Sequence, residues 1–177
     1  MCKYLLRYIY KVTHSGQPDK VFETKEKVIR KEKFKNVPYY VVSFSLGQLN
    51  KPPYVTGETY YTENLNKKAC YMIEKESRYL QYECTPELKT FNWPLKTGKK
   101  WKVTCKIKQK IKNRYIKFKI KGVAEIVGIE KIKVPAGEFQ AFKIVLKVRQ
   151  GRKMVVYREW WYSPELCPIV KRKFYWS

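Results

Sequence analysis

The chain has 177 residues, of which 44% are hydrophobic and 16% aromatic, and its 39 Lys and Arg against 15 Asp and Glu give a net charge of +24. This length predicts one domain with its own core, residues 1–177, and 8 glycines and 9 prolines are too few for a disordered or collagen-like chain. The charge favours polyanionic partners, because nucleic acid, anionic lipid headgroups and acidic polysaccharides are all attracted by the same field.

The sequence contains five cysteines, Cys2, Cys70, Cys84, Cys105 and Cys167. They include no CxxC pair and His14 is the single histidine, so no metal site is predicted, while disulfides and buried free thiols both stay open. No stretch reaches the roughly 18 apolar residues of a membrane span. The opening MCKYLLRYIYKV alternates like a strand rather than like a signal peptide; the alternative is that a signal peptide was removed and Cys2 carried a lipid anchor.

The first third of the chain is predicted to form three long strands. The segments KYLLRYIYKVT, KVFETKEKVIRKEKF and YYVVSFSLG alternate apolar and polar residues, with turns expected at 14–19 and 35–38. His14 lies in the polar stretch THSGQPD, where an exposed loop residue is favoured over a catalytic base.

The segment CYMIEKESRYLQYEC predicts a hairpin centred on Ser77. A loop of residues 76–78 would pair position 70 with position 84, because antiparallel register is set by the turn. Cys70 and Cys84 are therefore expected to face each other, close enough for a disulfide.

The clearest strand pair is WKVTCKIKQKI followed by NRYIKFKIKG, joined at a turn of Lys112 and Asn113. One face of this pair is apolar, and the other carries lysines about 5 Å from their neighbours across the pair. These lysines are predicted to form a polyanion-binding face: Lys106, Lys108, Lys110, Lys117, Lys119 and Lys121. The competing interpretation is that they only keep sheet faces and edges from aggregating.

The last strands, FKIVLKVRQ, MVVYREWWYS and IVKRKFYW, complete an all-β prediction. A long antiparallel meander of about nine to eleven strands should curl into an open or closed barrel, with lysines outside and aromatics inside. The inward residues are predicted to line an apolar ligand cavity: Val103, Ile107, Ile116, Phe118, Ile120, Ile144, Leu146 and Trp160. The alternative is that Trp101, Trp160 and Trp161 fill the interior completely.

Three segments in order, FNWPLKTGKKWKV, GIEKIKVPAGEFQAFKI and EWWYSPELCPIVK, resemble a family of uncharacterised bacterial secreted or envelope proteins with PLKVGKxW, VPAGxFxAxKI and WYSPxxGxVVK elements. The resemblance covers about residues 58–175. It implies a curved sheet similar to the periplasmic lipoprotein carriers, which wrap a half-barrel around an apolar cavity. The glycine usual after the family's turn is Cys167 in this chain.

The turns in these motifs are interpreted as structural. Pro135 withholds an N–H where a strand must break, Gly137 can adopt a positive φ, and Ser163 to Glu165 make the equivalent turn later. Five carboxylates near the motifs are expected to pair with Lys or Arg rather than to catalyse a reaction: Glu125, Glu130, Glu138, Glu159 and Glu165.

The sequence thus predicts a binding protein rather than an enzyme, with no cofactor. The favoured function is binding of a lipid or lipoprotein acyl chain in the apolar concavity, with the basic face meeting anionic headgroups. Binding of nucleic acid or another polyanion is the second candidate, since aromatic and basic residues alternate on the strands. A cell-envelope or periplasmic location is expected, and the cytoplasm is the alternative.

Overall fold

The computed structural model describes residues 8–14, 17–34, 36–48, 51–74, 77–134, 137–150, 153–165 and 169–175. Eleven strands form one antiparallel sheet in which the order of the strands follows the order of the chain. The predicted all-β meander is confirmed. The two outermost strands of the described chain each pair with one neighbour, so the sheet is an open curl.

The strands are β1 (Tyr8–His14), β2 (Gln17–Phe34), β3 (Val37–Gln48), β4 (Val55–Tyr61), β5 (Lys67–Glu74), β6 (Ser77–Leu88), β7 (Lys100–Ile111), β8 (Arg114–Val134), β9 (Gly137–Gln150), β10 (Lys153–Tyr162) and β11 (Ile169–Tyr175). No helix in the described part of the chain is both long and apolar enough to cross a membrane.

The turn predicted at Lys112 and Asn113 is confirmed, whereas β2 already begins at Gln17 and β3 at Val37, inside the turns expected at 14–19 and 35–38. Ile111 pairs with Arg114 across Lys112, whose φ is 52°, and Gly137 has φ 132°, the positive value that the sequence predicted. His14 is the last residue of β1, paired with Gln17, so its placement in a loop was wrong. Cys2, Pro135 and Cys167 lie outside the described residues.

The two larger of the three buried clusters in the described residues lie on opposite faces of the sheet. Ala69 of the smaller cluster pairs with Glu83, and Cys84, the next residue along β6, belongs to the larger one. Successive residues of a strand point to opposite faces. We call the face of the larger cluster, which spans β6 to β10, the inner face; the other is the outer face.

The smaller cluster on the outer face consists of Tyr39, Val41, Tyr60 and Ala69. Phe34 packs against it, with its ring 5.5 Å from the ring of Tyr60. Both faces of the sheet therefore carry a core, which the predicted arrangement of aromatics inside and lysines outside did not include.

The predicted register of the cysteine hairpin is wrong. Glu74 pairs with Ser77, three positions away from its predicted partner, and one register shift between Cys70 and Tyr71 then leaves Cys70 opposite Tyr82 instead of Cys84. An alternating pattern reveals neither the position at which the turn closes nor a bulge, and these two together set the register. Cys70, Cys84 and Cys105 are all buried free thiols.

Candidate functional site

The inner face of the β7–β8 hairpin changes from buried to exposed along its length. Cys105 and Ile120 are paired and buried, Ile107 and Phe118 are paired and half-buried, and Ile116 further out is 41% exposed. The cause is that β9 pairs with β8 only from Lys121 onward, so none of the described strands flanks the end of the hairpin on that side. The apolar inner face thus opens toward the hairpin tip.

Most of the predicted cavity residues lie in the packed core. The larger cluster contains Val103, Ile120, Ile144, Leu146 and Trp160, and Ile107 and Phe118 pack against its edge. The prediction that these residues turn inward is confirmed for all of these seven. Ile116 also lies on the inner face, but it is exposed because the hairpin extends past its neighbours. Ligand binding by this set stays a prediction.

The tryptophans do not all fill the interior. Trp101 and Trp160 belong to the larger cluster, but Trp161 packs with Ile132 and Ala141 in a third cluster and donates its Nε1–H to Glu130 at 2.6 Å. Adjacent residues of one strand cannot share a face, so the interpretation that placed Trp160 and Trp161 together was wrong.

Lys67 on β5 brings a cation to the inner face. Its Nζ lies 5.5 Å from the ring centre of Tyr61 and 5.9 Å from that of Tyr82, whose ring packs against the larger cluster. Burial would lower the pKa of Lys67 and the Coulombic influence of Tyr61 and Tyr82 would raise it, with a net rise above its usual range.

The surroundings of Lys67 are rich in phenols and cations. Burial raises the pKa of the Tyr82 hydroxyl and of the Cys70 thiol, so both stay protonated beside the ammonium. Arg158 of β10, on the inner face with Leu146, is close enough to oppose the charge of Lys67. No described carboxylate lies within ion-pair distance of Lys67. Two basic side chains thus lie on the inner face.

The outer face of β7 to β9 carries the predicted lysines. Lys106 lies opposite Lys119, and Lys108 opposite Lys117. The exposed members of this face are Lys106, Lys117, Lys119 and Lys121, and the half-buried ones are Lys108 and Lys110. Three further exposed cations share it. Lys102 follows from the alternation along β7, whereas the position of Lys147 and Arg149 depends on the register of β8 with β9, which the sequence did not indicate. Polyanion binding there stays a prediction.

Four of the five carboxylates near the motifs form ion pairs, as predicted. The pairs are Lys100–Glu125 at 3.2 Å, Lys131–Glu138 at 2.6 Å, Lys143–Glu130 at 3.4 Å and Lys143–Glu159 at 3.7 Å. Glu165 is exposed in the turn after β10. Among the described residues, no group of three His, Cys, Asp or Glu side chains is arranged to hold a metal ion.

The sequence analysis missed a charged network on the outer face. Glu58 on β4 accepts two hydrogen bonds from Arg30 of β2, at 2.6 and 3.0 Å, and one from Arg78 of β6 at 2.9 Å. Arg78 also donates to the Tyr60 hydroxyl at 2.7 Å, and that hydroxyl donates to Glu32. The hydrogen bond from Arg30 contributes most to lowering the pKa of Glu58. Three non-adjacent strands are thereby joined.

No protein-family model matches the chain, and no curated protein matches it. Among solved structures, the chain is similar to a Bacteroides fragilis protein of YmcC-like fold whose export is itself a prediction. The sequence identity is 16% and the TM-score 0.51, over 96% of this chain and 86% of that one. Likeness at this identity concerns the fold alone.

Proposed function

We propose that this protein is a non-catalytic binding protein of the bacterial cell envelope that holds the acyl chain of a lipid or lipoprotein on its inner face. The observation that carries the proposal is an apolar strip next to a cation. The strip comprises Tyr82, Ile107, Ile116 and Phe118, with the half-buried Gln109 between Tyr82 and Ile116, and the Nζ of Lys67 lies 5.9 Å from the ring centre of Tyr82.

The strip has the chemistry of a lipid site. Removing an acyl chain from water stabilises the complex by about 0.8 kcal/mol per buried CH₂ group. The core beneath the strip is already packed, since Val103 and Cys105 are fully buried. The chain would therefore lie over the half-buried residues Ile107 and Phe118 toward the open end, with its anionic head near Lys67.

The envelope location is supported by the family resemblance of the three motifs and by the predicted export of the structurally similar protein. A strongly basic chain also suits a compartment bordered by anionic lipids. Detection of the protein in the periplasmic or membrane fraction of fractionated cells tests this location, and recovery in the cytoplasm alone contradicts it.

Acyl binding is tested with a fluorescent fatty acid and a fluorescent fatty alcohol of the same length. We expect saturable binding of both, and Phe118→Asn should weaken both by about tenfold or more, since it removes an apolar contact and adds an amide. The matched control is Val123→Asn, on the same strand but on the outer face and 48% exposed. Equal affinities for the two variants would contradict the proposed strip.

Removing the charge of Lys67 should change the affinity for the fatty acid but not the affinity for the alcohol. Lys67→Met keeps the length of the side chain and removes its charge, so binding of the fatty acid should weaken several-fold while binding of the alcohol is unchanged. Lys100→Met, in which an exposed lysine is replaced, serves as the control. If both probes lost affinity equally in Lys67→Met, the ammonium would have no part in recognising the head.

A further inference from the structure

The tip of the β7–β8 hairpin combines exposed apolar side chains with a dense positive charge. Ile111 is 47% exposed and Tyr115 is 46% exposed, on either side of the turn at Lys112. Residues 101–124 contain no Asp or Glu. In the half of the hairpin nearer the tip, the cationic residues are Lys108, Lys110, Lys112, Arg114, Lys117 and Lys119.

The tip is held in place from one side. Tyr115 donates its hydroxyl hydrogen to the backbone oxygen of Leu80 at 3.2 Å, and the Nζ of Lys108 lies 4.7 Å from the Tyr115 ring centre. Lys110 lies over the ring of Tyr79 at 3.9 Å. The hairpin end is thus braced against β6, and its apolar and basic groups keep a fixed arrangement.

We propose that this tip docks on the surface of an anionic lipid bilayer. Ile111 and Tyr115 would enter the boundary between headgroups and acyl chains, where an aliphatic side chain and an amphipathic ring are both stable. The lysines around them would meet the lipid phosphates, each adding to the attraction of the surface.

A bilayer fits the tip better than a nucleic acid does. Stacking on bases needs open aromatic rings beside the cations. At the tip one apolar residue, Ile111, is aliphatic, and the ring of the other, Tyr115, is covered in part by Lys108. Exposed aliphatic groups gain from hydrocarbon and not from phosphate or base edges.

Docking of the tip would bring the open end of the apolar strip to the membrane. Ile116, the outermost residue of the strip, is two residues from Arg114 at the turn. This consequence rests on the proposed acyl-binding function, and it gives the acyl chain a route between bilayer and inner face. The docking itself involves other residues, so the two proposals can fail separately.

The test is sedimentation of the full chain with vesicles of phosphatidylcholine alone or with one third phosphatidylglycerol. We expect binding to the anionic vesicles that falls steeply between about 50 and 200 mM salt. Ile111→Ser with Tyr115→Ser, and separately Lys112→Gln with Arg114→Gln, should each reduce the affinity about tenfold. The control Val123→Ser, exposed but distant from the tip, should stay within twofold.

Each outcome bears on the docking proposal. Equal binding to both vesicle types, or affinities that the two tip variants do not change, would overturn it. Retention on single-stranded DNA that depends on Lys112 and Arg114, without vesicle binding, would assign the tip to nucleic acid instead. Circular dichroism and binding of the fluorescent fatty acid without vesicles show that the tip variants are folded. If fatty-acid binding is lost in Phe118→Asn but kept in the tip variants, the acyl-binding site and the docking site are distinct.

Discussion

Replacement of Glu58 by glutamine tests the network that joins β2, β4 and β6. The Glu58 side chain is 10% exposed and accepts three hydrogen bonds from the guanidinium groups of Arg30 and Arg78. Glutamine has the same shape, but it has one acceptor oxygen and turns an NH₂ donor toward a guanidinium. We therefore expect Glu58→Gln to lower the free energy of unfolding.

The magnitude follows from the hydrogen bonds that are lost. A hydrogen bond to a charged group contributes about 1.5–3 kcal/mol. The side chains of Arg30 and Arg78 are 37% and 39% exposed, so water screens the interaction and the lower part of that range applies. Urea denaturation at pH 7 should show a loss of about 2 kcal/mol. Glu138→Gln, which breaks an exposed pair with Lys131, should cost at most about 0.5 kcal/mol.

The effect should depend on pH in one direction. The pKa of Glu58 is lowered in the folded state, so its contribution is present above the unfolded pKa of about 4.3 and is lost as the pH falls through the folded pKa. The difference between wild type and Glu58→Gln should be complete at pH 7 and should narrow below about pH 4. A loss equal to that of Glu138→Gln, or a difference that does not change with pH, would refute the role assigned to the network.

Two further predictions concern the core and a turn. Ile126→Ala should lower the free energy of unfolding by about 2–5 kcal/mol in urea denaturation, because Ile126 is fully buried. Val127→Ala, at the exposed neighbour, should change it by less than about 0.5 kcal/mol. Equal losses for the two variants would contradict the place of Ile126 in the core. Gly137→Ala should lower the melting temperature, since φ 132° is strained by about 1–3 kcal/mol for alanine. Gly128→Ala should leave the melting temperature unchanged or raise it, because no atom lies within 4 Å of the position of the added Cβ. The reverse order of the two melting temperatures would contradict the turn geometry.

Alternation in the sequence predicted which side chains share a face within a strand. Val103 and Cys105 are buried, while Lys102 and Lys106 beside them are exposed. The reason is local: successive side chains of a strand point to opposite faces, whatever lies around the strand. The all-β meander and the hairpin at Lys112 follow from the same pattern and a short turn.

The parts that the sequence could not give are those that depend on the register between strands or on where a neighbouring strand ends. Ile116 has the same alternation as Ile120, yet it is exposed because β9 stops short of it. The prediction for Cys70 failed because β5 and β6 start pairing at Glu74 and Ser77 rather than in the predicted register, and a bulge between Cys70 and Tyr71 shifts the pairs beyond it.

The composition, the net charge and the period of two in the sequence by themselves determined that this chain is a basic antiparallel sheet with an apolar side. Only the tertiary structure decided which side chains come together, because they belong to strands that are far apart in the chain. Arg30 reaches Glu58 across β3, and Lys67 shares the inner face with Arg158 of β10. Curling of the sheet creates such contacts, and the curl results from the summed twist and bulges of all the strands rather than from any one segment.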